Sequence, residues 1–199
     1  MCESRNIVVD ATGHVAGKLA ANIAKKLLEG YYVTVVACEN AVFTGPLKRH
    51  IGKYKDWKLK RCVVNPQKGA FHYKEPSKYF YKILRTMVQR KTNRGGSALR
   101  RLQCFESIPV ELLGCERVLF PQALLKVTAD PERKHTLIGT LLSQFGWKHQ
   151  KLSTEINEGF YKKEAELMAV LEQKKKETKD LTETAEFQKK IEATMASLK

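Results

Sequence analysis

The sequence predicts an α/β domain on a parallel sheet, with a helical extension behind it. Three observations carry this. Residues 6–38 read as strand, helix, strand, a unit that packs back on itself with its two strands parallel. Apolar residues recur at helical spacing again over 76–88 and 137–145. From about residue 153 the composition shifts to Glu, Lys, Ala and Leu, with no proline, no arginine and no glycine after Gly159.

In chain order, NIVV (6–9) reads as a short buried strand closing on Asp10. The stretch 11–30 sets Leu19, Ile23 and Leu27 four residues apart and ends on Gly30, a helix with a glycine stop. YVTVVAC (32–38) is rich in β-branched residues, as a central strand should be. Residues 46–59 fit a helix, with cations around a scaffold of Ile51, Tyr54 and Trp57. CVVN (62–65) reads as a third strand closed by Pro66, and a turn-rich stretch follows.

Pro76 opens a helix whose stripe is Phe80, Ile83, Leu84, Met87 and Val88. The glycines at 95 and 96 are expected to break it, with a shorter helix starting at SALRRL. RVLF (117–120) reads as a fourth strand or an extended connection. Asp130 is expected to cap a helix with Pro131 at its first position, an apolar face of Leu137, Leu141, Leu142 and Phe145, and Gly146 as its stop. Domain organisation is thus a globular part, 1–150, and a helical extension, 151–199. In the extension Leu167 and Leu171, then Phe187, Ile191, Met195 and Leu198, make apolar stripes too thin for a core of their own.

Composition excludes several classes. With 43% hydrophobic and 29% charged residues, the 199-residue chain has apolar material for one sizeable core. No apolar run approaches the ~18–20 residues that span a bilayer, and the first residues lack a secretion signal, so no membrane partner and a cytosolic setting are expected. Cys2, Cys38, Cys62, Cys104 and Cys115 are scattered, without C-x-x-C pairs or zinc-spaced histidines. Reduced cysteines, no metal site and no cofactor follow as expectations.

The net charge of +15 becomes informative once located. Residues 1–47 carry four cations and four acids, 102–150 five and five, 151–199 ten and ten. Residues 48–101 hold seventeen cations against Asp56 and Glu75, so this segment accounts for the whole excess. A solvated helix face mixes both signs; a long single-sign block inside a domain is the footprint of a polyanion surface. Interleaved aromatics (Tyr54, Trp57, Phe71, Tyr73, Tyr79, Tyr81) offer stacking faces as well as core material.

Within QRKTNRGGSALRRL (89–102), Arg90, Lys91, Arg94, Arg100 and Arg101 are the densest candidate phosphate contacts. Lys48, Arg49, Lys53, Lys55, Lys58, Lys60 and Arg61 form a second patch, with Lys68, Lys74 and Arg85 completing the candidate set. Gly95 and Gly96 remove side chains where another backbone has to come close. Gly13, Gly17 and Lys18 sit at a strand-to-helix junction where a phosphate loop would, but the spacing is three rather than four and Leu19 follows the lysine. The plainer reading there is a tight turn with close helix packing; the sharper one is anion binding at the helix end.

His14, His50, His72, His135 and His149 stand at no recognisable spacing to a nucleophile or carboxylate pair, so no catalytic residue is assigned. No groove-reading DNA module is evident, and a broad irregular basic surface fits folded RNA better. An RNA-processing or nucleotide-dependent enzyme using the 13–18 junction, and a free regulatory RNA-binding protein, are the alternatives.

The residues also match a known pattern in order. It runs through Asp10-x-x-Gly13-His14-x-x-Gly17-Lys18-Leu19-Ala20, Cys38-Glu39 with Thr44-Gly45, Lys53-Tyr54, Asn65-Pro66 with Gly69, Phe71-His72 and Pro76-Ser77. It continues through Lys91-Thr92-x-Arg94-Gly95-x-x-Ala98-Leu99-x-Arg101-Leu102, Phe105, Ile108-Pro109 and Gly146-Trp147-Lys148. On these the chain resembles the large-subunit ribosomal protein thirteen family, most closely its eukaryotic thirteen-a branch. The resemblance implies a three-layer α/β/α domain around a four-stranded parallel sheet, no enzymatic activity and no homo-oligomer. It also implies a structural role in the large ribosomal subunit, against ribosomal RNA and neighbouring ribosomal proteins. Cytoplasmic ribosomes, and the nucleolus during assembly, are the implied locations. Three departures stand out: Val88-Gln89 where the family usually has Leu-Pro, Ser107 in place of a usual glycine, and a tail of balanced charge where the eukaryotic branch is basic, which points the tail toward protein rather than RNA.

Overall fold

The structure, a computed structural model, describes residues 5–130 and 132–183. The chain opens with β1 (Asn6–Asp10), α1 (Ala16–Leu28), β2 (Tyr32–Val36), a short β3 (Val42–Thr44) and α2 (Leu47–Leu59). α3 (Pro76–Met87), α4 (Asn93–Arg100), β4 (Leu102–Cys104) and β5 (Arg117–Val118) follow. The last elements are α5 (Leu125–Thr128), β6 (His135–Leu137), α6 (Ile138–Ser143) and α7 (Gln150–Glu183). It is an α/β fold on a four-stranded sheet of order β4-β2-β1-β5, all parallel, with a long C-terminal helix.

Strand alternation decides where the core lies. Ile7, Val33 and Leu102 share one register row and Val9, Val35 and Cys104 another. Both rows join a single core cluster with Leu19, Ile23 and Leu27 of α1, Phe80 and Leu84 of α3, and Ala98 and Leu99 of α4. Burying each of the fully enclosed Val, Leu, Ile and Phe side chains among them stabilises the fold by roughly 1.5–3 kcal/mol. Residues of opposite parity face the other way: Val36 is buried, Val8 and Thr34 half-buried, Tyr32 and Gln103 exposed.

α1 stops as its sequence requires. Gly30 takes φ +102°, its N–H donates to Leu27 O and that of Tyr31 to Lys26 O, a glycine cap that satisfies two terminal carbonyls. The helix starts later than its spacing suggests, at Ala16 rather than Ala11, because Gly13 at φ +70° turns the chain first. β2 likewise ends two residues early, where Ala37 enters the left-handed region at φ 51°.

Four further expectations are corrected. CVVN (62–65) forms no strand: it has no ladder partner, Asn65 Oδ1 accepts from Gln67 N in a turn, and Val63 and Val64 are 90% and 95% exposed. The edge strand beyond β2 is β4 instead, whose first residue, Leu102, closes the SALRRL stretch expected to begin a helix. Gly95 and Gly96 do not break a helix but lie inside α4; the break falls at 88–92, and Thr92 Oγ1 caps the new helix on Gly95 N. The helix expected from Asp130 is replaced by β6 and the short α6, because residues 135–137 pair antiparallel with β3 and their backbone groups go into that ladder. Pro131, and the stripe Phe187, Ile191, Met195 and Leu198, lie outside the described residues.

One compact unit ends at Asn157 and a second begins at Glu158. Inside the first, the opening turns of α7 are held by a buried carboxylate. Glu39 accepts from Ser153 Oγ at 2.6 Å, from Asn157 Nδ2 at 2.7 Å and from the Ser107 N–H at 3.1 Å. Ser107 itself sits at φ 59°, which gives a physical reason for glycine at this position: a side chain there is strained. The serine gains a compensating 2.8 Å hydrogen bond to Ser153 Oγ. In the second unit, α7 carries exposed Leu167, Met168, Val170, Leu171 and Leu181.

Candidate nucleic-acid interface

α2 is anchored by one face and charged on the rest. Tyr54 is buried, stacks on Phe145 at 4.1 Å between centroids, and donates from its hydroxyl to Tyr73 O at 2.8 Å. Around the other faces Lys48, Arg49, Lys53, Lys55 and Lys58 are all exposed. Lys60, Arg61, Lys68 and Lys74 extend the patch along the following loop, also exposed.

That loop has no regular ladder, so side chains hold it. His72 packs edge-on against Trp57 at 4.6 Å, with Nε2 3.1 Å from Lys60 O. The Lys82 ammonium lies 3.7 Å from the Trp57 ring centroid and donates to Phe71 O at 2.9 Å. Trp57 thereby ties α2, the loop and α3 together. Burial, reinforced by the Arg85 charge, lowers the Lys82 pKa from its ordinary value. Lys78, on the same helix, pairs with Glu75 at 2.6 Å.

Of the seventeen cations between 48 and 101, fourteen are exposed and Lys82, Arg85 and Arg101 are partly buried. The five densest candidates divide. Arg90, Lys91 and Arg100 are exposed. Arg101 turns inward and donates from Nη2 to Leu27 O at 2.7 Å, while the exposed Arg94 reaches Leu28 O at 3.5 Å. Both meet carbonyls at the C-terminal end of α1, where positive charge is favourable.

The glycines divide too. A Cβ on Gly95 would lie 2.1 Å from Gln89 O, so the close backbone approach here is to the chain itself. Gly96 has ordinary room, its nearest neighbour being Arg90 O at 3.7 Å. At the first junction Gly13 makes the tight turn, but Gly17 has nothing within 4 Å of a Cβ position, so close packing does not explain it. The N–H groups of the turn before α1 are bonded within the chain: Gly13 donates to Asn40 O, His14 to Ala11 O and Val15 to Ala123 O. Lys18 is exposed on α1.

His14, fully buried, sits between Thr12 O at 3.1 Å from Nδ1 and the Phe120 N–H at 3.4 Å from Nε2, a structural role. Among the described residues no cluster of three metal-ligating side chains occurs, Cys38, Cys62, Cys104 and Cys115 are free, and no helix is long and apolar enough to cross a membrane. Sequence reasoning missed a cleft of about 390 Å³ lined by Gly69, Phe71, Tyr73, Lys82, Arg85 and Arg90. The signal was present in its exposed aromatic: of the six aromatics interleaved in the basic block, Phe71 alone is exposed, at 64%.

Known proteins resemble this chain along most of its length. Residues 4–111 match the family model described as ribosomal protein L13. The chain is 40% identical over 177 residues to the large ribosomal subunit protein uL13 of Spodoptera frugiperda, covering 89% of this chain and 87% of the relative. The uL13 of Drosophila melanogaster is 38% identical over 179 residues, covering 90% and 85%. That of Caenorhabditis elegans is 35% identical over 198 residues, covering 96% of each chain. The matched family is structural and non-enzymatic. With a family model over more than half its length and relatives covering most of the rest, the chain belongs to the ribosomal protein L13 family.

Proposed function

We propose that the chain is a structural constituent of the large ribosomal subunit that binds folded ribosomal RNA through the outer faces of α2, α3, α4 and the loops between them. The observation that carries this reading is the location of the charge: the segment 48–101 holds the whole +15 excess, and fourteen of its seventeen cations are exposed. Such a surface repels itself until a polyanion covers it. Lys48, Arg49, Lys53, Lys55, Lys58, Lys60, Arg61, Lys68 and Lys74 contact phosphates on one side. Arg85, Arg90, Lys91, Arg94 and Arg100 do so on the other, with Arg101 positioning α4 from behind. The names of the curated relatives, each a large-subunit protein, support the particle in which this happens. The exposed leucines and valine of α7, on a segment of balanced charge, favour neighbouring ribosomal proteins as its partners.

Fractionation of a cell extract tests the assignment. The protein sediments with large subunits and stays there through a moderate salt wash; recovery in the soluble fraction free of particles overturns it.

A further inference from the structure

The cleft beside α3 sets an exposed ring beside its cations. Lys82 and Arg85 stand three residues apart on α3, and Arg90 reaches in from the turn after the helix. The lining contains no carboxylate. Phe71 and Tyr73 complete it, on a loop pinned by the 2.9 Å bond from Lys82 to Phe71 O. Its volume of about 390 Å³ is in the range of small-ligand pockets, ~300–1,000 Å³. A flat duplex surface has no use for such a recess. Three unneutralised cations beside an exposed ring are, by contrast, the two halves of a nucleotide site: charge for phosphate and a π-face for a base. Burial first, and the Arg85 charge second, lower the Lys82 pKa, and a bound anion would oppose both.

We propose that this cleft receives one nucleotide swung out of a folded RNA strand, with its phosphate among Lys82, Arg85 and Arg90 and its base on Phe71. The proposal deepens the RNA-binding reading and rests on it. An acidic peptide would use the cations but leave the ring exposed, and a fully paired helix cannot enter the recess. The shared chemistry of a phosphate joined to a base also allows a free mononucleotide, which the test separates.

The full-length protein is titrated with a paired RNA hairpin, with the same hairpin carrying a single-nucleotide bulge, and with adenosine monophosphate. The bulged hairpin binds about tenfold tighter or more, the gain expected of one stacked base. Phe71→Ala brings the ratio of the two affinities toward one, and Phe71→Tyr keeps it; Phe71 is exposed, so neither variant threatens the fold. Equal salt-dependent binding of both hairpins by the unaltered protein, or a preference that survives Phe71→Ala, overturns the cleft proposal and leaves the basic surface standing. Absence of salt-dependent binding to either hairpin overturns the underlying reading as well. Saturable binding of the mononucleotide that displaces no RNA overturns the proposal in favour of a free ligand.

Discussion

Arg101 donates from Nη2 to the carbonyl oxygen of Leu27 at 2.7 Å, joining the end of the most basic segment to the last turn of the first helix. Its neighbour Arg100 is exposed. Adjacent arginines of identical charge thus serve different ends, one inside the fold and one outside it.

This division is measurable. Arg101→Ala removes a charge-assisted bond to a helix terminus and the packing of a partly buried side chain, and lowers stability by about 1.5–3 kcal/mol in urea denaturation. Arg100→Ala changes stability by less than about 0.5 kcal/mol, as an exposed surface substitution should, while weakening RNA binding.

The paired glycines give a second contrast. Gly95→Ala drives a Cβ against Gln89 O, backbone that cannot swing aside, and costs about 3 kcal/mol or more. Gly96→Ala meets nothing closer than 3.7 Å in a helix interior and stabilises by roughly 0.5–1 kcal/mol. Thermal melts of the two single variants should move in opposite directions.

Glu39 predicts the strongest loss away from the basic surface. Glu39→Ala leaves the Ser107 N–H and the Asn157 amide buried without their acceptor, a cost of about 1–3 kcal/mol for each donor. Hydrogen exchange at the Ser107 amide should accelerate in step with the fall in denaturation midpoint.

Histidine protonation sets an acid limit. Burial lowers the His14 pKa below its ordinary 6.5, against smaller opposing effects from the Thr12 carbonyl and Asp10. With Thr12 O able only to accept and the Phe120 N–H only to donate, the folded ring is neutral with its hydrogen on Nδ1. The folded state therefore takes up this proton less readily than the unfolded chain. Its contribution is complete above about pH 6.5 and is lost as pH falls toward the folded value, at up to ~1.4 kcal/mol per pH unit. His50, also lowered chiefly by burial, adds to the same window. Denaturation midpoints of His14→Gln followed from pH 7 to pH 5 should show a shallower decline than those of the unaltered protein.

Much of this was legible in the residues because local signals agreed with tertiary demands. Leu19, Ile23, Leu27 and Gly30 fixed α1 by spacing and stop, and Phe80 and Leu84 fixed α3. β3, β4 and β6 were hidden, since three-residue strands carry too little periodicity and exist only through their partners. Val63 and Val64 misled for the converse reason: β-branched residues read as strand, but no neighbouring edge is there to pair them. At the surface, charge location was readable by counting, whereas the inward turn of Arg101 depends on where the end of α1 lies, 74 residues away in sequence. The Phe71 cleft is assembled from a loop and a helix by Lys82, a bond no pattern of spacing announces.

The central claim concerns phosphate binding by the exposed cations, and its most direct test is the salt dependence of binding to a folded ribosomal RNA fragment. Each neutralised phosphate contributes a slope of about −0.9 in log affinity against log salt on duplex, or about −0.7 on single strands. Replacing the exposed Arg90, Lys91 and Arg100 with glutamine should weaken binding and flatten that slope by about one for each phosphate no longer neutralised. An affinity and a slope that stay unchanged in the triple variant would contradict the account.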